Sequence, residues 1–424
     1  MEIKVATPIT TNLSGVRRLS ITGSKSETNR LLLLQALYPQ IKIENASNSD
    51  DSEVLIQILQ NFNASSNVPS AGFRELNVHH AGTAMRFLTA YFAIQEGKEV
   101  ILTGSSRMKE RPIKILVDAL NQLGAEITYE NQEGFPPIRI KGKKLTKNKV
   151  SLPATVSSQY ISSLLLIAPK LENGLELTLE GETTSIPYIK MTLALLNEIG
   201  VKTFFNENVI MVNQLQFIPP SDFIGLVESD WSSASYWYSI IALSEIGTQI
   251  TLSSYKKESL QGDSILVDIY ENFGVTTVFN IDNSITLSKN KKPNQDTINL
   301  QLNNAPDIAQ TIAVTCFGHG IACDLSGLHT LKIKETDRLE ALKTELSKLG
   351  ATISVTNDSL HLLASHTINS DVTIATYQDH RMAMAFAPLA LKVPITIQNA
   401  EVVSKSYPTF WDDLKTIGLE IKEI

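Results

Sequence analysis

The chain has 424 residues, 43 % of them apolar and 19 % charged, with a formal net charge of −7. That balance fits a compact globular protein of two or three domains and excludes a disordered chain. The acidic total excludes a basic surface for nucleic acid or acidic membrane, so a site for anions must be a local cluster set against the global charge.

A strand-like stretch, MEIKVATPI, comes first. No basic start with an apolar run precedes it, and no apolar run reaches the roughly 20 residues of a membrane span. A cytoplasmic protein is therefore expected. Two kinds of helical segment then alternate along the chain. The first kind starts polar and becomes apolar nearly all round: SKSETNRLLLLQAL, GTAMRFLTAYFAI, SSQYISSLLLIAP, SSASYWYSIIALS, APDIAQTIAVTCF and DHRMAMAFAPLAL. Ser26, Thr83, Ser158, Ser233, Asp307 and His380 mark these copies, at spacings of 57, 75, 75, 74 and 73. A helix that is apolar on every face is buried, so its polar start must reach a rim or cleft.

The second kind is amphipathic and ends in Gly before a short alternating strand, as in ILVDALNQLG-AEITY and RLEALKTELSKLG-ATISV. Its glycines are Gly124, Gly200, Gly274 and Gly350, at intervals of 76, 74 and 76, with a fifth copy at Gly418 and a weaker one ending at Asn63. Glycine supplies the left-handed backbone that a helix C-terminus needs. In RLEALKTELSKLG the residues Leu339, Leu342, Leu346 and Leu349 form one face, which predicts a helix laid over a sheet. Six repeats of two helices and several strands result. The Pro219-Pro220-Ser221-Asp222 stretch is a candidate hinge between two halves of three repeats. Cys316 and Cys323 fit no zinc spacing and no disulfide framework, and read as core packing.

The buried-helix starts carry the chemistry. A helix N-terminus offers unpaired N–H groups and about half a positive charge, which suits a phosphate or carboxylate. Lys25, Ser26 and Arg30 lie at the first start; Gly82, Thr83 and Arg86 at the second; Ser157, Ser158 and Gln159 at the third. Asp307 lies at the fifth, and Asp379, His380 and Arg381 at the sixth. Read alone, Ser157-Ser158 and Ser232-Ser233 are N-caps and Asp307 is a first-turn acid. Lys25 is flanked by apolar LSIT and LLLLQAL, and a buried cation wants an anion. Two loops add Arg107, Lys109 and Arg111, and Lys332, Lys334, Glu335, Asp337 and Arg338, where cations at a helix start oppose the macrodipole. GSKS lacks the Gly spacing of a nucleoside-triphosphate P-loop.

GSKSETNR, AGTAMRF, GSSRMKERPI, SSQYISSLL, ESDWSSASYW, APDIAQT, IKETDRLEAL and DHRMAMAF occur in order from Gly23 to Phe386, within a resemblance that spans residues 3–417. In this the chain resembles the 5-enolpyruvylshikimate-3-phosphate synthase family. The resemblance implies an α/β fold of two similar domains, each of three βαβαββ-type units with buried helices. It implies that residues 1–16 and 227–424 form one domain and 17–226 the other, with the active site in the cleft between them. It implies a monomer that uses no metal and no cofactor, and a reaction of phosphoenolpyruvate with shikimate 3-phosphate.

By the same resemblance, Lys25, Ser26, Arg30, Ser157, Ser158, Gln159, Ser185, Tyr188, Asp307 and Lys334 hold shikimate 3-phosphate. Lys25, Gly82, Arg111, Gln159, Arg338, Arg381 and Lys405 hold phosphoenolpyruvate. Asp307 is the candidate base and Glu335, with Lys25, the candidate acid. The family pattern is broken at His80 and at Thr330, where Asn is common, so the expected inhibition by glyphosate is in question at His80. The related family acting on UDP-N-acetylglucosamine commonly has Lys-Asn at the first helix and a reactive Cys in the loop, whereas this chain has Lys25-Ser26 and no Cys from Ser105 to Arg111. A non-catalytic anion-binding homologue is disfavoured by the presence of Asp307, Glu335 and Lys25.

Overall fold

The computed structural model describes residues 1–7, 17–64, 73–154, 157–181, 183, 186–217, 219–220 and 222–424, the side chains of 63 and 64 excepted. Ser185 and Ser221 lie outside the described residues. The chain forms two compact units, Met1–Gly23 with Glu228–Ile424 and Ser24–Val227. Among the described residues no helix is long and apolar enough to cross a membrane.

Both units follow one plan. Five four-stranded sheets share an order: a parallel pair, then two antiparallel strands. In the second unit, for example, Arg74–Asn77 runs parallel to Glu99–Thr103, which pairs antiparallel with Ile138–Lys141 and that with Glu126–Tyr129. The sixth sheet has two strands among the described residues, Lys42–Glu44 and Ile224–Leu226, in parallel.

In the first unit, two sheets recruit strands from far away in the chain. Glu2–Ala6 sits between Ile395–Gln398 and Glu420–Glu423, antiparallel to both. Arg17–Leu19 runs parallel to Gln249–Leu252, so the chain leaves the first unit only after it. The Pro219-Pro220 stretch read as a hinge lies inside the second unit, before its last strand.

The buried helices are Lys25–Leu37, Gly82–Ala93 and Ser158–Ile167 in the second unit, and Trp231–Leu243, Ala309–His319 and His380–Phe386 in the first. Their departures from full burial carry information. In Gly82–Ala93 only Thr83 is not buried, in Trp231–Leu243 only Ser232, and in Ser158–Ile167 only Ser158 and Gln159. Each exception lies in a first turn, where the helix core meets polar surroundings. Burial of the remaining apolar side chains stabilises each unit by about 25 cal/mol per Å².

The amphipathic helices lie over the sheets as the glycine spacing predicts. Gly124, Gly200, Gly274, Gly350 and Gly418 all have φ between 77° and 105°. Leu339, Leu342, Leu346 and Leu349 are fully buried. The weaker copy differs: its helix runs Asp50–Ala64, so Asn63 lies inside it rather than ending it. Cys316 and Cys323 are free, buried thiols, as core packing requires.

Basic residues also lie near the far ends of the buried helices, on them or on the segments packed there. Lys289, 3 % exposed, donates to the Phe273 carbonyl at 2.6 Å. His319 occupies the last turn of Ala309–His319 and stacks on Phe273, with ring centroids 5.9 Å apart. Burial first, and then Lys289 and Lys392, push the His319 imidazole down to about 3, so it is uncharged. In the second unit Lys170 lies 4.1 Å from the Tyr38 ring centroid. A cavity of about 520 Å³ opens at that end, lined in part by Leu37, Ile94, Lys143 and Lys170.

Candidate active site

In the first unit the charged starts converge on Asp307. Pro306 opens a 3-10 turn, Pro306–Ile308, ahead of the Ala309–His319 helix, so Asp307 precedes the helix rather than sitting in its first α-turn. Its carboxylate meets three cations: Arg338 Nη1 at 2.7 Å, Lys334 Nζ at 3.3 Å and Arg381 Nη2 at 3.4 Å. Burial alone would raise its pKa, but Lys334, Arg381 and Arg338 together overcome that and hold it well below the usual carboxylate range.

Arg338 is the hub of this cluster. Besides Asp307 it donates to Glu335 Oε2 at 2.8 Å and to Asp379 Oδ2 at 2.6 Å. These carboxylates desolvate together with it, which is the arrangement a cation 2 % exposed requires. Asp337 begins the helix, accepting from the backbone N–H groups of Leu339 and Glu340 at 3.2 Å. Asp379 does the same for His380–Phe386, accepting from Arg381 N at 2.9 Å while it holds Arg338. Arg381 therefore leaves its helix start pointed at Asp307 and Ser232 Oγ, the latter at 3.2 Å. Lys405 donates to the Gln378 carbonyl at 2.6 Å, and Tyr377 and Gln378 both have φ near +55°. That stretch of left-handed backbone precedes the helix start.

In the second unit the cations are held more loosely. Lys25 Nζ lies 3.3 Å from Asp51 Oδ2, and His80 Nε2 lies 3.6 Å from Asp51 Oδ1. The anion that Lys25 wants is thus supplied by Asp51, which it shares with His80. Arg111 packs on Gly82 so closely that a Cβ there would sit 2.6 Å from its Nη1. Gly82 is what lets the guanidinium reach the start of the Gly82–Ala93 helix. Gln159 Nε2 donates to Thr83 Oγ1 at 3.1 Å, and Ser157 caps its helix by accepting from Gln159 N at 3.3 Å.

Arg30 behaves differently. It donates to Thr192 Oγ1, Ser26 O, Ser162 Oγ and Tyr188 O, at 2.8, 2.7, 2.9 and 3.3 Å. Burial pulls its pKa down to about 10. Its guanidinium ties Ser26 and Tyr188 to the helix core with neutral acceptors.

Several expectations change. Asp230, not the Ser232-Ser233 pair, caps the fourth buried helix by accepting from Ser233 N at 2.7 Å. The SSRMK loop contains a short helix, Ser106–Lys109, capped by Ser105. The LKIK segment is a 3-10 turn, His329–Ile333. Thr330 Oγ1 is buried with no hydrogen-bond partner among the described residues. Asp263, which sequence reasoning missed, is 4 % exposed and accepts the Ser232 hydroxyl proton. Among the described residues no group of three or more His, Cys, Asp or Glu side chains is placed to hold a metal ion.

Solved structures define the class. The chain matches an EPSP synthase from Acinetobacter baumannii with a TM-score of 0.77 at 20 % identity, over 100 % of both chains. It matches the enolpyruvyl transferase NikO from Streptomyces tendae at 0.74 and 14 %, over 99 % and 98 %. The fold is therefore the two-unit α/β fold of enolpyruvyl transferases. The family model for EPSP synthase (3-phosphoshikimate 1-carboxyvinyltransferase) matches residues 9–414. A 3-phosphoshikimate 1-carboxyvinyltransferase of Bacteroides fragilis is 43 % identical over 414 residues, covering 95 % of this chain and 96 % of its relative. One from Haemophilus influenzae is 35 % identical over 433 residues, with the same coverage. The chain belongs to the EPSP synthase family.

Proposed function

We propose that this chain transfers the enolpyruvyl group of phosphoenolpyruvate to the 5-hydroxyl of shikimate 3-phosphate and releases phosphate. The reaction is an addition followed by an elimination through a tetrahedral intermediate. Family membership supports the reaction, and the grip of Lys334, Arg338 and Arg381 on Asp307 is the observation that carries the mechanism.

The substrate hydroxyl loses a proton as it attacks the central carbon of phosphoenolpyruvate, while the methylene carbon gains one. Asp307 takes the first proton and Glu335, with Lys25, gives the second. With three cations on it, Asp307 is a poor base. Two anionic substrates change this by competing for those same cations. Each Lys or Arg contact moved from Asp307 to a phosphate or carboxylate raises the basicity of Asp307. The site is thus a weak base until its substrates arrive. In the elimination the methyl group returns a proton to Glu335 and Lys25, the proton held by Asp307 passes to the departing phosphate, and cationic side chains stabilise that phosphate.

In this reading shikimate 3-phosphate is held by Lys25, Ser26, Arg30, Ser157, Ser158, Gln159, Ser185, Tyr188, Asp307 and Lys334. Phosphoenolpyruvate is held by Lys25, Gly82, Arg111, Gln159, Arg338, Arg381 and Lys405. The packing of Arg111 on Gly82 supports their pairing in one subsite. Charge-assisted hydrogen bonds contribute about 1.5–3 kcal/mol each, so a few suffice for oriented binding. The protein acts as a monomer and is inhibited by glyphosate, with His80 setting the sensitivity.

The test is phosphate release from phosphoenolpyruvate with and without shikimate 3-phosphate. Release that needs both substrates is expected. Folded protein that releases none, or releases it without shikimate 3-phosphate, would sink the proposal.

A further inference from the structure

Asp263 belongs to none of the substrate sets above, yet it is buried beside Arg381's anchor. It lies in the 3-10 turn Gly262–Ile265 and its Oδ2 accepts the hydroxyl proton of Ser232. Ser232 Oγ in turn accepts from Arg381 Nη2 at 3.2 Å, and the same nitrogen lies 3.4 Å from Asp307 Oδ2. We propose that Asp263 is a positioning residue which, through Ser232, fixes the Arg381 guanidinium in the orientation that phosphoenolpyruvate meets. This rests on the reading of Arg381 as a phosphoenolpyruvate-binding group.

The direction of the relay supports this. A serine hydroxyl has one proton and two lone pairs. With the proton committed to Asp263, a lone pair is always turned toward Arg381. Without an acceptor there the hydroxyl rotates freely, and its proton competes with the guanidinium for the same space.

The two residues that support Arg381, Asp263 and Ser232, also sit on segments of backbone tied to each other. Gln261, two residues before Asp263, accepts from Trp231 N at 2.9 Å and donates to the Ser229 carbonyl at 2.9 Å. Glu228 accepts from Trp231 Nε1 and Lys256 N, both at 2.8 Å, and from Ser259 Oγ at 2.6 Å. These bonds tie the segment that ends at Asp263 to the start of the helix that carries Ser232. A support held on both sides is what keeps a binding group within a fraction of an ångström of its working position.

A simple counterion role fits less well. Asp307 already pairs directly with Arg381, whereas Asp263 reaches it only through the hydroxyl. Burial, and then the charge of Asp307, push the Asp263 carboxyl up to about 6, so its presence costs stability rather than adding it.

The test compares Asp263→Ala, Asp263→Asn, Ser232→Ala, the double variant Ser232→Ala/Asp263→Ala and Arg381→Lys in steady-state kinetics. Asp263→Ala and Ser232→Ala are each expected to raise KM for phosphoenolpyruvate about tenfold, the scale of one hydrogen bond to a charged group. KM for shikimate 3-phosphate should stay within about twofold, and the double variant should be no worse than either single one. Asp263→Asn keeps an acceptor for the hydroxyl and should restore most of the affinity. Additive effects in the double variant, equal losses for both substrates, or an unchanged KM for phosphoenolpyruvate would overturn the relay. Ser232→Ala removes a single oxygen, so it gives the answer even where Asp263→Ala does not fold. If Arg381→Lys itself leaves KM for phosphoenolpyruvate unchanged, the reading of Arg381 falls. If Arg381→Lys raises it but the Ser232 and Asp263 variants do not, only the relay falls.

Discussion

The two ends of the buried helices carry the same residue types for opposite reasons. At their C-terminal ends a cation lies with the helix dipole: Lys170, which follows Ser158–Ile167, sits on the ring of Tyr38, which follows Lys25–Leu37. At the N-terminal ends Lys25 lies in the first turn and Arg381 just inside it, against the dipole. There they need carboxylates to hold them, Asp51 for Lys25 and Asp307 for Arg381. A cation that its helix explains says nothing of function. A cation that its helix opposes points to an anion that is worth the opposition, and the proposed function assigns that part to the two anionic substrates.

This contrast makes distinct demands on experiment. The largest effect belongs to Asp307→Asn, which keeps the shape and removes the proposed base. We expect kcat to fall about 1,000-fold with the fold retained. Single-turnover phosphate release together with circular dichroism decides it, and normal turnover would remove Asp307 from the chemistry.

At the opposite end His319→Phe should leave kcat and KM alone and alter only the response of stability to pH. The His319 pKa falls from 6.5 to about 3 on folding, so the unfolded chain binds the extra proton below pH 6.5. Stability from this group is present above pH 6.5 and is lost as the pH drops toward 3. Between pH 7 and pH 5 the variant should lose about 2 kcal/mol less than the parent, read from urea unfolding at each pH. A change in kinetics instead would erase the contrast between the two ends.

The smallest effect is that of Gly82→Ala. Its Cβ would lie 2.6 Å from Arg111 Nη1, the far end of a flexible side chain, so Arg111 moves and the backbone does not. KM for phosphoenolpyruvate should rise about tenfold with melting temperature unchanged, since a displaced charge-assisted contact is worth roughly that much. An unchanged KM would separate Gly82 and Arg111 from the phosphoenolpyruvate subsite.

What could be read in the sequence follows from the range of each signal. Gly124, Gly200, Gly274, Gly350 and Gly418 are legible because a left-handed helix end is a local demand that one residue type meets. The polar first turns of buried helices are legible because burial writes itself as an unbroken apolar run. The three carboxylates around Arg338 come from segments at 307, 335 and 379, and their meeting is set by packing alone. Asp263 is harder still. It sits in a short turn with no period, and its meaning lies in a hydroxyl about 30 residues earlier. The pairings of Arg17–Leu19 with Gln249–Leu252 and of Ile224–Leu226 with Lys42–Glu44 leave no trace in composition, because both are short strands of ordinary character.

The placement of Glu2–Ala6 between Ile395–Gln398 and Glu420–Glu423 sets a timetable for synthesis. Glu2–Ala6 is made long before either of its partners. At about 5–20 residues per second a ribosome needs on the order of 20–80 s to deliver its partners. Through that interval Ile3 and Val5, which end 2 % and 0 % exposed, stand in water. Ser24–Val227, continuous in the chain, has all its strands long before then. One unit can therefore close while the other still waits for its strands, and Glu2–Ala6 is the segment that a chaperone would shield in the meantime.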